Sequence, residues 1–377
     1  MVTTPRSLLH VRGDAEVKPG GDYTLIKTFA GLLCERGHEV TVALGEAADP
    51  RGYDVVLTIN FDSPFEPCAL LRRAQAAKVP VCLYALHHPS PGFAAYLRHG
   101  TTGGRRVAAL LAGNDPRRYL GLLATARTAL RDRRPFSCWR ACPTRRLQET
   151  LLAGCAVILV SSRLERELIL EEFPEAGSRR PLTLVPHAFA RRPVAAASRD
   201  SQLVVCPGRI ESRKNQLTLL RVAHRFPDRR FTFVGNLNPA EHAYGRDFLR
   251  MIASTRNARH IAGLDLDGFR RLLAGAGVAA SASWFEVVSL AELEALAQGC
   301  RLVATRHSYL SEFAGDRLDA FDPASPEDLV AGLTRAFAAA DSGPAPAAPA
   351  TMDALDPERV GDALDAALRT ARAGAAA

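Results

Sequence analysis

Two carboxylates, Glu286 and Glu294, stand eight positions apart in the stretch from Ser281 to Gly299. The first precedes a helical pattern and the second lies inside it. Leu290, Leu293 and Ala297 recur on one face, and Gly299 supplies a stop signal. The first turn carries no proline and few long side chains. The N–H groups of Val288, Ser289 and Leu290 are therefore open to a ligand, and such a helix start favours phosphate. Further up the chain, Arg209 and Lys214 place two positive charges beside another helix start. Together these groups would surround a pyrophosphate with donors and offset its charge. Carboxylates next to that anion should repel it unless they accept hydrogen bonds from neutral hydroxyls. Sugars supply such hydroxyls, so the combination points to a nucleotide-diphosphate sugar rather than to plain ATP.

These residues need elements that converge on one edge. Strand patterns occur at residues 7–11, 39–44, 53–59, 79–86 and 155–162, and helical patterns lie between them. Gly20 and Gly21, followed by Asp22, form a glycine turn after the first strand, where the backbone can approach a ligand closely. The fourth strand runs into His87 and His88. A histidine at the carboxyl end of a parallel strand points into the crevice where α/β sheets bind ligands. Residues 190–200 are small, polar and proline-bearing, and read as a linker. After them the alternation restarts with a strand at 202–207. Arg209 with Lys214, Asn236, Glu286 and Glu312 all fall in loops that follow strands. The fold class expected is α/β, with two Rossmann-like doubly wound parallel-sheet domains facing a cleft. Asp265 and Asp267 form a short acidic pattern of the kind that holds a metal on sugar nucleotides. Their place before a helix start favours N-capping instead.

The 377 residues suffice for two domains, and 47% hydrophobic with 23% charged residues fits a water-soluble globular chain. No apolar run is long enough for a transmembrane helix and no secretion signal opens the chain, so a cytoplasmic location is expected. The eight cysteines are scattered, and only Cys138 and Cys142 are close, which is a poor zinc signal. The formal charge of +8 suits a phosphorylated substrate or an anionic membrane surface. No helix-turn-helix, zinc finger or stacking platform argues for nucleic acid. The stretch 131–146 is rich in arginine and holds Trp139; it reads first as a solvated loop, and as alternatives it would suit an acidic acceptor or peripheral contact with the inner face of a membrane.

Several segments resemble one family in order and spacing. They are residues 208–216 with Arg209 and Lys214, residues 286–299 with both glutamates, and Ser308 to Glu312. Gly20, Gly21 and Asp22, residues 36–40 and His87 add to them from the first half. The chain resembles the retaining glycosyltransferases of family 4, with the GT-B fold. The resemblance implies an acceptor-binding domain at 1–192 joined by a C-terminal helix at 355–373, and a nucleotide-sugar-binding domain at 200–350. It implies metal-independent transfer of a sugar, with retention, to a hydroxyl of a glycan, glycolipid or polysaccharide, in cell-surface polysaccharide synthesis and without a cofactor. Arg209 and Lys214 would hold the donor pyrophosphate, Glu286 the donor sugar and Glu294 the ribose. Gly20 and Gly21 would approach the donor and His87 the reacting sugar, with Asp22 and His88 on the acceptor side. Ser289, Ser308 and Tyr309 replace residues that are usually glycine in this family, and His187-Ala188 stands where Asn-Gly is usual. A sugar-nucleotide epimerase of the same fold and a non-catalytic partner subunit are the alternatives.

Overall fold

The computed structural model describes residues 4–17, 20–132, 144–177, 180–194, 198–343 and 348–376. Residues 133–143, the centre of the arginine-rich stretch with Trp139, Cys138 and Cys142, lie outside them, as does part of the expected linker. The chain forms two compact units. Unit 1 comprises residues 1–87, 107–190 and 354–377; unit 2 comprises residues 88–106 and 191–353.

Unit 1 holds strands β1 (Arg6–Val11), β2 (Glu39–Leu44), β3 (Val55–Ile59), β4 (Val81–Tyr84), β5 (Val157–Val160) and β6 (Leu182–Leu184). They make one parallel sheet in the order β2-β1-β3-β4-β5-β6. The central strands β3, β4 and β5 are buried along their whole length, as expected of strands covered on both faces. Helices α1 (Gly21–Glu35) and α2 (Phe65–Ala76) follow β1 and β3. Two hydrophobic layers form. One contains Leu25, Ile26 and Phe29 of α1; the other contains Leu70 and Leu71 of α2.

The last helix of the chain, at Pro357–Ala376, returns to unit 1. Its Val360, Leu364, Leu368 and Ala371 recur at helical spacing and join the layer of Phe29 and Leu33. Arg36 closes the contact by donating to Asp362 (2.9 Å), and His38 pairs with Asp365 (2.8 Å).

Unit 2 holds β7 (Asp200–Pro207), β8 (Arg230–Val234), β9 (Ala258–Ile261), β10 (Ala276–Ala280), β11 (Arg301–Thr305) and β12 (Leu318–Phe321). All pair in parallel, in the order β12-β11-β10-β7-β8-β9. Strands β9 and β12 are edge strands with half-exposed residues, and their short runs carry little of the apolar signal that marks β7 and β10. The strand order reverses beside the first strand of each unit. In unit 2 the reversal lies between β7 and β10, and in unit 1 between β1 and β3. Loops leaving such neighbours diverge and open a crevice at the carboxyl edge of the sheet.

Residues 88–106 depart from the expected boundary, which kept everything before 192 in the first domain. The structure assigns them to unit 2. Phe93 stacks on Phe285 at 4.8 Å, His88 meets the same ring edge-on at 5.1 Å, and the Tyr96 hydroxyl bonds Ser212 (2.9 Å). Gly92 permits the approach, since a Cβ there would come within 2.5 Å of His307. Aromatic burial of this kind outweighs position in the chain.

Candidate functional site

The loop after β7 and the loop after β10 leave the sheet on either side of the reversal. The first carries Arg209, Glu211, Arg213 and Lys214. A tight turn at Ser212–Lys214 is closed by Asn215 in the left-handed conformation (φ 55°). The second carries Ser281 to Ser289. The two are tied through the backbone, since Trp284 N–H donates to the Arg213 carbonyl (3.0 Å). Glu286 is fixed from the other side, its N–H donating to the carbonyl of His307 (2.9 Å).

Glu286 is the hub. Lys214 Nζ donates to Glu286 Oε1 at 2.5 Å, and Arg213 Nη1 donates to the same oxygen at 3.1 Å. Arg213 also reaches Glu211 (3.4 Å), and Arg209 Nε donates to Glu211 Oε2 (2.9 Å). Burial pushes the Glu286 carboxyl up, but the charges of Arg213 and Lys214 outweigh it and leave it lowered to about 2. The same pairing raises Arg213 against its burial. Three cations therefore face two carboxylates, a net charge of +1. Arg209 is the open member, with 43% of its side chain exposed against 14% for Lys214.

Helix α3, at Leu290–Ala297, starts beside this cluster. Ser289 is its N-cap residue but makes no capping hydrogen bond among the described residues. Val288 is buried, whereas Ser289 and Leu290 are half-buried. One turn on, Glu294 is buried and held by Arg270, which donates at 2.9 and 2.7 Å, one bond to each carboxylate oxygen. Asn236 is exposed; its carbonyl accepts from Ile210 N–H (2.9 Å). Asp265 caps the helix Leu266–Ala274, accepting from Gly268 N–H at 2.7 Å. His88 lies in the aromatic contact on Phe285 already described.

Gly20, Gly21, Asp22 and His87 belong to unit 1. Gly20 is the N-cap residue of α1, and a Cβ on it would lie 2.7 Å from Asp22 Oδ1, whereas nothing lies within 4 Å of one on Gly21. Asp22 is taken up by Arg12, whose Nε donates at 2.6 Å. His87 is nearly inaccessible. Its Nδ1 pairs with Asp62 (2.5 Å) and its Nε2 with Glu172 (3.0 Å), which Arg117 also holds. Burial lowers the imidazole, but the two carboxylates raise it to about 10, so both ring nitrogens donate. Its backbone N–H donates to buried Glu165 (2.6 Å), which also accepts from Ser161. The ring is thus committed on both sides within unit 1.

The structure adds Arg213, Glu211 and Arg270 to the candidate residues, none of which the sequence singled out. Arg213 is one arginine among many, and only its place in the turn before Lys214 marks it.

Comparisons with known proteins bear on the fold and on the second half of the chain. Residues 201–339 match the family model of the glycosyl transferases, group 1. No curated protein sequence matches the chain. Among solved structures, sucrose-phosphate synthase from Thermosynechococcus elongatus is similar at 15% identity and a TM-score of 0.63, covering 98% of this chain and 96% of that one. Anabaena Alr3699/HepE in complex with UDP and glucose reaches 14% and 0.63 over 96% and 99%. The catalytic domain of starch synthase IV from Arabidopsis thaliana, bound to ADP and acarbose, reaches 10% and 0.63 over 99% and 100%. Likeness at such identities establishes the fold. The chain has the GT-B fold, and within it residues 201–339 are similar to the group 1 glycosyl transferases.

Proposed function

We propose that the protein transfers a sugar from a nucleoside-diphosphate donor to a hydroxyl, with retention and without a metal. One observation carries the reading: Arg213 and Lys214 meet Glu286, and Arg209 meets Glu211, at the strand reversal, beside a helix start whose N-cap side chain makes no capping bond among the described residues, inside the residues that match the glycosyl transferases. Arg209, Lys214 and the amides around Val288 to Leu290 would take the pyrophosphate and stabilise the charge on the leaving nucleoside diphosphate. Lys214, now shared with Glu286, would turn part of its charge to the phosphate. Glu286 would accept hydrogen bonds from sugar hydroxyls, and Glu294 with Arg270 would hold the ribose. Glu294 is committed to Arg270, which argues against a glycosidase-like pair of acid and nucleophile. UDP and ADP, which occupy the two similar structures just named, support a nucleoside diphosphate as the leaving group. A glycan or lipid-linked hydroxyl acceptor is the expected partner, as in cell-surface polysaccharide synthesis.

The test is a panel of UDP-, ADP- and GDP-sugars, screened by thermal shift and then incubated with glycan acceptors. The expected result is acceptor-dependent release of a nucleoside diphosphate, a product with the anomeric configuration of the donor, and turnover that survives chelation. A new sugar nucleotide formed without acceptor, or no shift with any donor, overturns the reading.

A further inference from the structure

Glu292 lies in the first turn of α3, six residues after Glu286. Its side chain is completely buried, and neither carboxyl oxygen has a hydrogen-bond partner among the described residues. Leaving a buried carboxyl unmatched is costly, so such groups concentrate where a chain trades stability for function. The groups acting on it come from several elements. Glu286 belongs to its own loop, Lys214 and Arg213 to the loop after β7, and Ser281 to the end of β10. Across α3, the helix at Leu266–Ala274 offers Arg270, which is taken by Glu294. Strand β11 offers Arg301 at the opposite end of α3, and His307 follows that strand.

The charge count of the cluster depends on this one group. With Glu292 neutral, Arg209, Arg213 and Lys214 exceed Glu211 and Glu286 by one charge. With Glu292 ionised, the excess vanishes. We propose that Glu292 is a further residue of the donor site: its carboxyl keeps a proton so that the cluster stays net positive for a nucleoside diphosphate, and loss of that proton weakens donor binding. It acts through Lys214 and Arg213, not by touching the donor, and is therefore a positioning residue. Burial first, and the charge of Glu286 second, raise its carboxyl to about 7, which puts the change in the physiological range. Glu286, lowered to about 2, keeps its charge throughout. Burial lowers His307 from the ordinary histidine value.

This inference rests on the donor reading above, and the experiment separates the two. Binding of the best nucleotide sugar of the panel is measured by calorimetry from about pH 6 to about pH 8.5 in the wild type and in Glu292→Gln, an isostere of the neutral acid. The diphosphate of such a donor does not titrate there. Affinity should fall about tenfold in the wild type and stay level in Glu292→Gln, which binds more tightly at the upper end. Parallel profiles overturn the proposal. Ligand-free melting gives a second readout. The raised carboxyl binds its proton in the folded state only, so wild-type stability relative to Glu292→Gln should decline from about pH 4.5 to about pH 7 and then level off. A constant difference overturns the proposal even if donors bind. If no nucleotide sugar binds either protein while the melting difference shows the expected slope, the donor reading falls and the link to donor affinity falls with it. Glu292→Ala, likewise uncharged, replaces the glutamine variant should that one fail to fold.

Discussion

Each unit places an ionic cluster at the carboxyl edge of its parallel sheet, and the two clusters are built on opposite terms. In unit 1, His87 donates from both ring nitrogens to Asp62 and Glu172, and Arg117 supports the second carboxylate. Every charge is matched at close range. In unit 2, three cations share two carboxylates, Arg209 is the most exposed of the three, and the buried Glu292 carboxyl makes no hydrogen bond among the described residues. A matched cluster holds loops in place; a cluster with a surplus charge has something left to give a ligand. The difference teaches that a strand-end histidine, however suggestive in sequence, must be read with its partners.

The sharpest way to break this contrast is to empty the matched cluster. His87→Ala would leave Asp62 and Glu172 buried together and should cost about 3–5 kcal/mol of stability, read by urea unfolding. A loss of turnover with unchanged stability would instead place His87 in the chemistry. The same cluster has a signature in pH. Its folded imidazole, at about 10, lies above the ordinary histidine value. The stabilisation is therefore fully present below about pH 6.5 and lost as pH rises through about 10, so the wild-type melting temperature should fall over that interval more than that of His87→Ala.

Emptying the surplus cluster should act on turnover and not on folding. Lys214→Ala is expected to lower kcat about 10²–10³-fold with little change in melting temperature. Near-normal kcat would dissolve the distinction between the two clusters. Glu294→Ala sharpens the ribose assignment: the donor KM should rise about tenfold while kcat holds, and an unchanged KM argues that Glu294 serves Arg270 alone. Asp265→Ala should cost only about 1 kcal/mol, the loss of one N-cap, and leave donor binding intact.

The alternation of buried strands and amphipathic helices was legible because β4, β5 and β10 are apolar throughout, β3 except at Thr58 and β7 over its second half, and glycines and polar turns punctuate them. The edge strands β9 and β12 were not, since exposed Arg259 and half-buried Asp319 break the apolar run. Among site residues, Lys214 stood out in a chain with only three other lysines, and Glu286 by its place before a helix. Arg213 and Arg270 were hidden by the abundance of arginine. Glu292 was hidden by its neighbours, for a glutamate in the first turn of a helix ordinarily faces solvent and favours the helix dipole. Its burial comes from packing that no local pattern states.

The assignment of residues 88–106 to unit 2 and of 354–377 to unit 1 also bears on how the chain can be divided. The backbone passes from one unit to the other four times, at 87/88, 106/107, 190/191 and 353/354. A fragment ending at Ala190 would lack the helix whose Leu364 and Leu368 complete its core, and would expose Phe93 and Tyr96, which pack on Phe285. Neither half is a separable piece of sequence, so donor-site variants are best made in the intact chain, and proteolysis between the units should release no stable fragment.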